Sequence, residues 1–194
     1  MRVTDNRYRS ERGQFELAMR MIRHEARTNT ISYLTGLSDD RIRKVYDTYF
    51  RAGDRDIRRR RGKSPTQIAP LIESPQRALE SGVLAHLLHR GGLYGTHGSG
   101  QPKLRQNIRL GQRFCDCFEA YLCVVPGPTL SFEWGWNLLL NMRRGDELGL
   151  RHCDDCGTIH LEDLLAVPGT ACPVCALLPQ SEAIHLTAPA RKSP

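Results

Sequence analysis

Cys153-Asp-Asp-Cys156 is followed, after fifteen intervening residues, by Cys172-Pro-Val-Cys175. Two residues between paired cysteines let one tight turn aim both sulfurs at a single ion, and the amides of that turn can donate to the thiolates. Zinc in structural sites takes four tetrahedral ligands, and thiolates suit it well. The spacing therefore predicts one structural zinc ion per chain, held by Cys153, Cys156, Cys172 and Cys175. Gly157 fits the turn after the first pair. Disulfides belong to oxidising compartments. A redox Cys-x-x-Cys needs no second copy at this distance. An iron–sulfur cluster also uses four cysteines, but ribbon-like spacing favours zinc. Four thiolates close the metal's shell, so no chemistry is expected at the ion. His152 and His160 lie close in sequence and are alternative ligands. Cys115, Cys117 and Cys123 fall on a predicted helix and read as small buried residues.

The second group that matters chemically is basic. The formal net charge is +7, and residues 1–63 carry 17 Lys/Arg against 9 Asp/Glu. Residues 64–150 are nearly balanced, and residues 151–194 are acidic by two. A one-sided basic load points to a polyanion, most often nucleic acid, against the alternative of a solvated surface. Two features could use it. Thr28 to Tyr49 reads as two short helices around a tight turn: Gly36 for the positive φ, Leu37 turned into the core, Ser38 as N-cap, and Ile42, Val45 and Tyr49 as the buried face. If this is a helix-turn-helix, its second helix enters the major groove, and Arg43 and Lys44 meet guanine or phosphate. The alternative is an ordinary helical hairpin. The run Arg58-Arg59-Arg60-Arg61 suits phosphate contact better than base reading, against the alternative of a solvated loop.

Helices must position both groups. The first ten residues show no apolar period and read as a frayed arm. From Glu11 a helical stripe begins, with Phe15, Ala18, Met19, Ile22 and Ala26. Arg51 to Lys63 reads as a basic loop, continued by Ser64-Pro65 and Pro70. Ser74-Pro75 starts a helix to about Arg90, with the cap followed by proline at the first turn. A glycine-rich loop spans Gly91 to Gly100. Pro102 to Cys123 predicts an amphipathic helix with Leu104, Ile108, Phe114, Phe118, Tyr121 and Leu122 on or near one face. Ser131 to Arg144 predicts another, carrying Trp134, Trp136, Leu139 and Leu140. Short extended pieces then flank the cysteine pairs. The expected fold is mainly α: a helical N-terminal and central body with a small C-terminal four-cysteine zinc-ribbon-like module. The divisions are a basic region 1–63, a helical body 64–145, a zinc module 146–180 and a disordered tail 181–194.

Hydrophobic content of 40% and charged content of 25% are those of a globular chain. No run of about 18 apolar residues occurs, so no membrane span is expected. The N-terminus lacks the apolar core of a secretory signal, which points to the cytoplasm. Gly95-Thr-His-Gly-Ser-Gly100 lacks the lysine of a phosphate-binding loop. With no nucleophile elbow or open metal site either, no enzymatic activity is expected.

A basic helical N-terminus, a glycine-rich centre and a late pair of Cys-x-x-Cys motifs together resemble the FlhC family, a subunit of the bacterial flagellar master transcription activator. The resemblance runs from about Glu16 to Pro179. It rests most on Leu17-Ala-Met19, on Arg41-Ile-Arg-Lys-Val-Tyr46 and on the four cysteines. It implies an α-helical body with a C-terminal zinc module, Cys153, Cys156, Cys172 and Cys175 matching the family's ligands. It also implies a hetero-oligomer with an FlhD-type small subunit, binding to promoter DNA and recruitment of RNA polymerase. The competing expectation is a zinc-stabilised protein-interaction adaptor without direct DNA contact.

Overall fold

The first helix, α1 (Val3–Arg23), turns Leu17, Ala18, Met21 and Ile22 inward, one face of a 3.6-residue period. The structure, a computed structural model, describes residues 3–51, 57–60, 62–95, 107–166 and 172–177, with side chains from Tyr8 onward, Arg9 excepted. The expected start at Glu11 is therefore too late. A helix nucleated by packed residues extends because each added residue gains a backbone hydrogen bond, and it needs no apolar period to do so. The inward stripe also differs from expectation: Phe15 and Met19 are only half-buried, while Leu17 and Met21 carry the contact.

Helices α2 (Thr28–Thr35) and α3 (Asp39–Tyr49) follow. Gly36 closes α2 at φ 75°, a left-handed position that an L side chain takes only with strain, and its N–H reaches Ser32 O. Leu37 is buried at the turn, and Ile42 and Val45 are buried on α3. Ser38 has the extended backbone of an N-cap but makes no capping side-chain hydrogen bond. Tyr49 is a correction: it is 64% exposed. It is the last residue of α3, beyond the surface against which α1 and α2 pack the helix. Tyr46 and Phe50 take the inward role instead, with Tyr46 Oη donating to Ile57 O at 2.7 Å.

A short helix, α4 (Ala69–Ile72), lies within the segment expected to be loop, and buries Leu71. Helix α5 (Pro75–Arg90) begins as its sequence predicts, with Pro75 at the first turn and Ser74 Oγ accepting from Arg77 N–H. Helix α6 (Ile108–Val124) is capped by Asn107, and α7 (Phe132–Arg144) by Ser131. Leu104 lies outside the described residues. On α6, Phe114, Cys115, Cys117, Phe118 and Tyr121 point inward. Leu122 is 37% exposed and Cys123 is exposed, contrary to expectation. One residue past Tyr121 is a rotation of about 100°, which carries the side chain off the buried face. Phe132 and Trp136 meet Phe114 edge to face at 4.9 and 5.2 Å, and Phe118 meets Phe132 edge to face at 5.2 Å while stacking with Phe114. Trp136 is thus consumed by the core.

Strands β1 (Leu148–His152) and β2 (Ile159–Asp163) pair antiparallel, Leu150 opposite Leu161. The hairpin lies against α5, where a methyl group at Gly82 would sit 3.6 Å from the Leu161 amide nitrogen. Leu148 and Leu161 join the main core. The last described helix, α8 (Pro173–Leu177), also packs on α5. The described residues are thus mainly helical, with one two-stranded sheet. None of their helices is long and apolar enough to cross a membrane.

Buried carboxylates fasten these helices together. Glu133, 3% exposed, accepts from Arg27 N–H at 2.7 Å, Thr30 Oγ1 at 2.9 Å and Ser64 Oγ at 2.6 Å. Its negative charge sits at the N-terminus of α2, where the helix dipole favours it. Nearer the surface, Arg20 donates to both oxygens of Glu119, at 2.7 and 2.6 Å, and His24 Nε2 lies 2.9 Å from Oε1. The hydrogen bonds from Arg20 hold the Glu119 carboxyl down at about 2; burial works against them and His24 adds to them. A carboxyl lowered on folding stabilises the fold above its ordinary value of 4.5 and loses that contribution as pH falls toward 2. Denaturant unfolding measured between pH 6 and 3 should therefore show a shallower loss of stability for Glu119→Gln than for the parent chain. Equal slopes would remove Glu119 from the acid response.

Candidate metal centre and nucleic-acid interface

The first cysteine pair sits on the turn between β1 and β2. Gly157 N–H donates to Cys153 O at 2.9 Å, and Cys153 N–H donates to Thr158 O at 2.9 Å. Gly157 has φ 70°, which lets the chain double back after Cys156 without strain. The second pair sits at the start of α8, where Ala176 N–H donates to Cys172 O at 2.9 Å. The hairpin and the helix are held by α5, so the two turns face each other across a fixed gap.

The four sulfurs meet in that gap. Cys153 Sγ lies 3.7 Å from Cys175 Sγ, Cys156 Sγ lies 3.8 Å from Cys172 Sγ, and all four are within 4.8 Å of one another. A tetrahedron with metal–sulfur bonds of about 2.3 Å has edges of about 3.8 Å, so the group is spaced for one ion. A disulfide needs sulfurs about 2.05 Å apart. Cys153, Cys156 and Cys172 are buried and Cys175 is half-buried, which leaves little room for a water ligand. Among the described residues this is the one such cluster. His152 and His160 are not part of it. His160 is buried on β2 with no partner for Nδ1 among the described residues, and His152 is exposed.

The environment differs from one thiol to the next. Donation from the Thr158 hydroxyl and amide brings Cys156 down to about 6, favouring a thiolate there. Burial raises Cys172 against donation from the Cys175 and Val174 amides. Cys175 is raised to about 12, chiefly by its neighbour Cys156. Clustered thiolates repel one another, and a cation among them removes that cost. Thr158 was not singled out from sequence; its only signal is a hydroxyl just past the Gly157 turn.

At the basic end, Arg43 and Lys44 are exposed on α3, opposite Ile42 and Val45. Arg43 lies 3.5 Å from Asp40, a surface pair one helical turn away. The segment expected to be a loop is tied down. Tyr46 anchors Ile57, Glu25 receives Arg58 N–H and the Arg60 guanidinium, and Arg27 donates to Lys63 O. We refer to residues 57–64 as the strap; Arg61 lies outside the described residues. Arg58 and Arg60 are exposed and Arg59 is half-buried. The Tyr46 bond sets the start of the strap against α3, so the two candidate groups adjoin one helix. Glu25 is the residue that sequence reasoning missed. Its signal is an acid placed directly after a helix end in the most basic third of the chain. The tail 181–194 and most of the glycine-rich loop, residues 96–100, lie outside the described residues.

Compared with known proteins, the chain matches no protein-family model and no curated sequence.

Proposed function

We propose that this chain is the DNA-binding subunit of a hetero-oligomeric transcription activator of the FlhC kind, with one structural zinc ion on Cys153, Cys156, Cys172 and Cys175. The observation that carries the DNA reading is the α2–Gly36–α3 unit. It has the left-handed glycine, the buried Leu37, and a second helix that buries Ile42 and Val45 while Arg43 and Lys44 face outward. Its position in the basic third of the chain suits promoter DNA. Zinc is preferred because four thiolates in a closed tetrahedron match its usual structural coordination. The ion orders the surface around α5 and the hairpin, far along the chain from the basic run. An FlhD-type small subunit completes the activator, and RNA polymerase is the downstream partner.

Mobility shift on flagellar promoter DNA, with the small subunit present and salt varied, tests this. Lys44→Gln should weaken binding to all sequences and lower the salt slope by about 0.9. Arg43→Gln should cost about 1–3 kcal/mol and relax sequence preference, as expected where an arginine reads guanine. No shift at low salt with the partner present would sink the reading. A shift that survives both substitutions and neutralisation of Arg58 to Arg61 would favour the adaptor, with DNA contact supplied by the partner.

A further inference from the structure

Glu25 stands at a place where the backbone favours another residue. It follows α1 directly, with φ 55°, and is the one non-glycine with positive φ among the described residues. Glycine relaxes such a position after a helix end, and a long carboxylate side chain gains nothing there from the backbone. Its side chain, however, meets the strap. Oε1 accepts from Arg58 N–H at 3.3 Å. Oε2 accepts from Arg60 Nε at 2.8 Å, and an Arg60 terminal nitrogen lies 2.7 Å away. One main-chain amide and one guanidinium fork thus converge on a two-oxygen anion.

The two free oxygens of a phosphodiester present the same charge to the same donors. The Arg60 side chain is 52% exposed and that of Glu25 28% exposed, so an outside anion can reach the pair. Arg59, between the two donors in sequence, has its Nε buried without a hydrogen-bond partner among the described residues. Among the described residues, the strap as held by Glu25 thus leaves one of its donors without an acceptor.

We propose that Glu25 is an internal competitor for nucleic-acid phosphate. Its carboxylate fills an anion site built by the Arg58 amide and the Arg60 guanidinium, and a backbone phosphate of DNA takes that site when Glu25 leaves it. This rests on the nucleic-acid reading of the basic end and adds a specific phosphate position with a built-in gate. A dense polyanion gains enough from neighbouring contacts to displace the carboxylate, whereas an isolated anion competes poorly. The strap thereby discriminates against weak, scattered anions.

The test uses the full chain in two arms. In the first, fluorescence anisotropy follows binding of a labelled DNA duplex to the parent chain, Glu25→Gln, Arg60→Gln and the double variant. Glu25→Gln should bind about fivefold tighter, and the gain should vanish when Arg60 is also replaced. A gain of equal size in the Arg60→Gln background would reflect net charge alone and overturn the proposal. In the second arm, inorganic phosphate is titrated while the Arg58 amide and Arg60 Nε–H resonances are followed by NMR. Both should shift at lower phosphate concentration in Glu25→Gln than in the parent. Glu25→Gly, which relaxes the backbone at this position, should behave like Glu25→Gln. If phosphate moves the two resonances but no DNA binds, the phosphate site stands and the DNA reading falls. If phosphate moves neither resonance in either Glu25 variant, the competitor role is overturned whatever DNA does.

Discussion

Removing the proposed metal ion should open both cysteine turns while the helical body stays folded. Binding energy in small zinc modules amounts to about 10–16 kcal/mol and acts as folding energy. Here the four sulfurs form a small cluster of their own, backed among the described residues only by the half-buried Val174. The apolar contribution is too small to hold four thiols within 4.8 Å of one another once the ion is gone. Leu148 and Leu161 belong to the main core and should keep the base of the hairpin on α5. Hydrogen exchange after chelation, or in Cys153→Ser/Cys172→Ser, should therefore show a local pattern. Protection is lost at the amides of Cys153, Gly157 and Ala176, each of which bonds within or beside a cysteine turn. It is retained along α1, α6 and α7. Unchanged protection at those three amides would mean that the turns hold without a metal. Because the ligands must lose protons to bind, metal affinity should also fall as pH falls.

Glu80→Ala should strongly destabilise the helical body. Glu80 is 6% exposed and lies on α5. Its Oε1 accepts from the Tyr121 hydroxyl, the Thr129 amide and, at 3.1 Å, the Leu130 amide; Oε2 accepts from Thr129 Oγ1 at 2.6 Å. One carboxylate thus ties α5 to α6 and to the turn leading into α7. Burial pushes its carboxyl upward, but the donors from Thr129, Tyr121 and Leu130 together outweigh it and hold the group below the ordinary 4.5. Alanine would leave the buried Tyr121 hydroxyl without its acceptor, while the Leu130 amide keeps Tyr121 Oη at 3.2 Å and the exposed Thr129 can turn to water. Losing that acceptor together with the hydrogen bonds to a charged carboxylate costs about 3 kcal/mol. In a chain of this length that lowers Tm by roughly 6–12 °C. Glu80→Gln should lose less, since its amide oxygen still accepts. Differential scanning calorimetry distinguishes the two, and a Tm for Glu80→Ala within 2 °C of the parent would show that the network is not a structural tie. The depressed carboxyl also gives a sign: its contribution is present above about pH 4.5 and fades as the solution is acidified.

Local rules carried much of the fold. Ser74-Pro75, Asn107 and Ser131 stand at the starts of α5, α6 and α7, and Gly36 and Gly145 close α2 and α7 at positive φ. Asn107 was not read as a cap, and the predicted helix began five residues earlier, in a stretch outside the described residues. Caps and turns are legible because a side chain within three residues satisfies the backbone group, so no distant partner enters. Where burial depended on a partner helix, the reading slipped. Tyr49 and Leu122 have the right type and near-right spacing but no surface to cover them. Glu80 and Glu133 carry no local signal, because a buried carboxylate is defined by donors 41 to 106 residues away in the chain.

The same division runs through the site. The sequence by itself picked out the four-cysteine group, since Cys-x-x-Cys fixes both sulfurs of a pair within one turn, and it determined that the positive charge lies in the first third of the chain. Only the tertiary structure decided that the two cysteine pairs face each other, because that requires β2 and α8 to dock on the same helix, α5. It also decided that the arginine run is a tethered strap. That follows from Glu25, Arg27 and Tyr46, which lie 11 to 36 residues from their partners in sequence and reach them only when α1, α2 and α3 have packed.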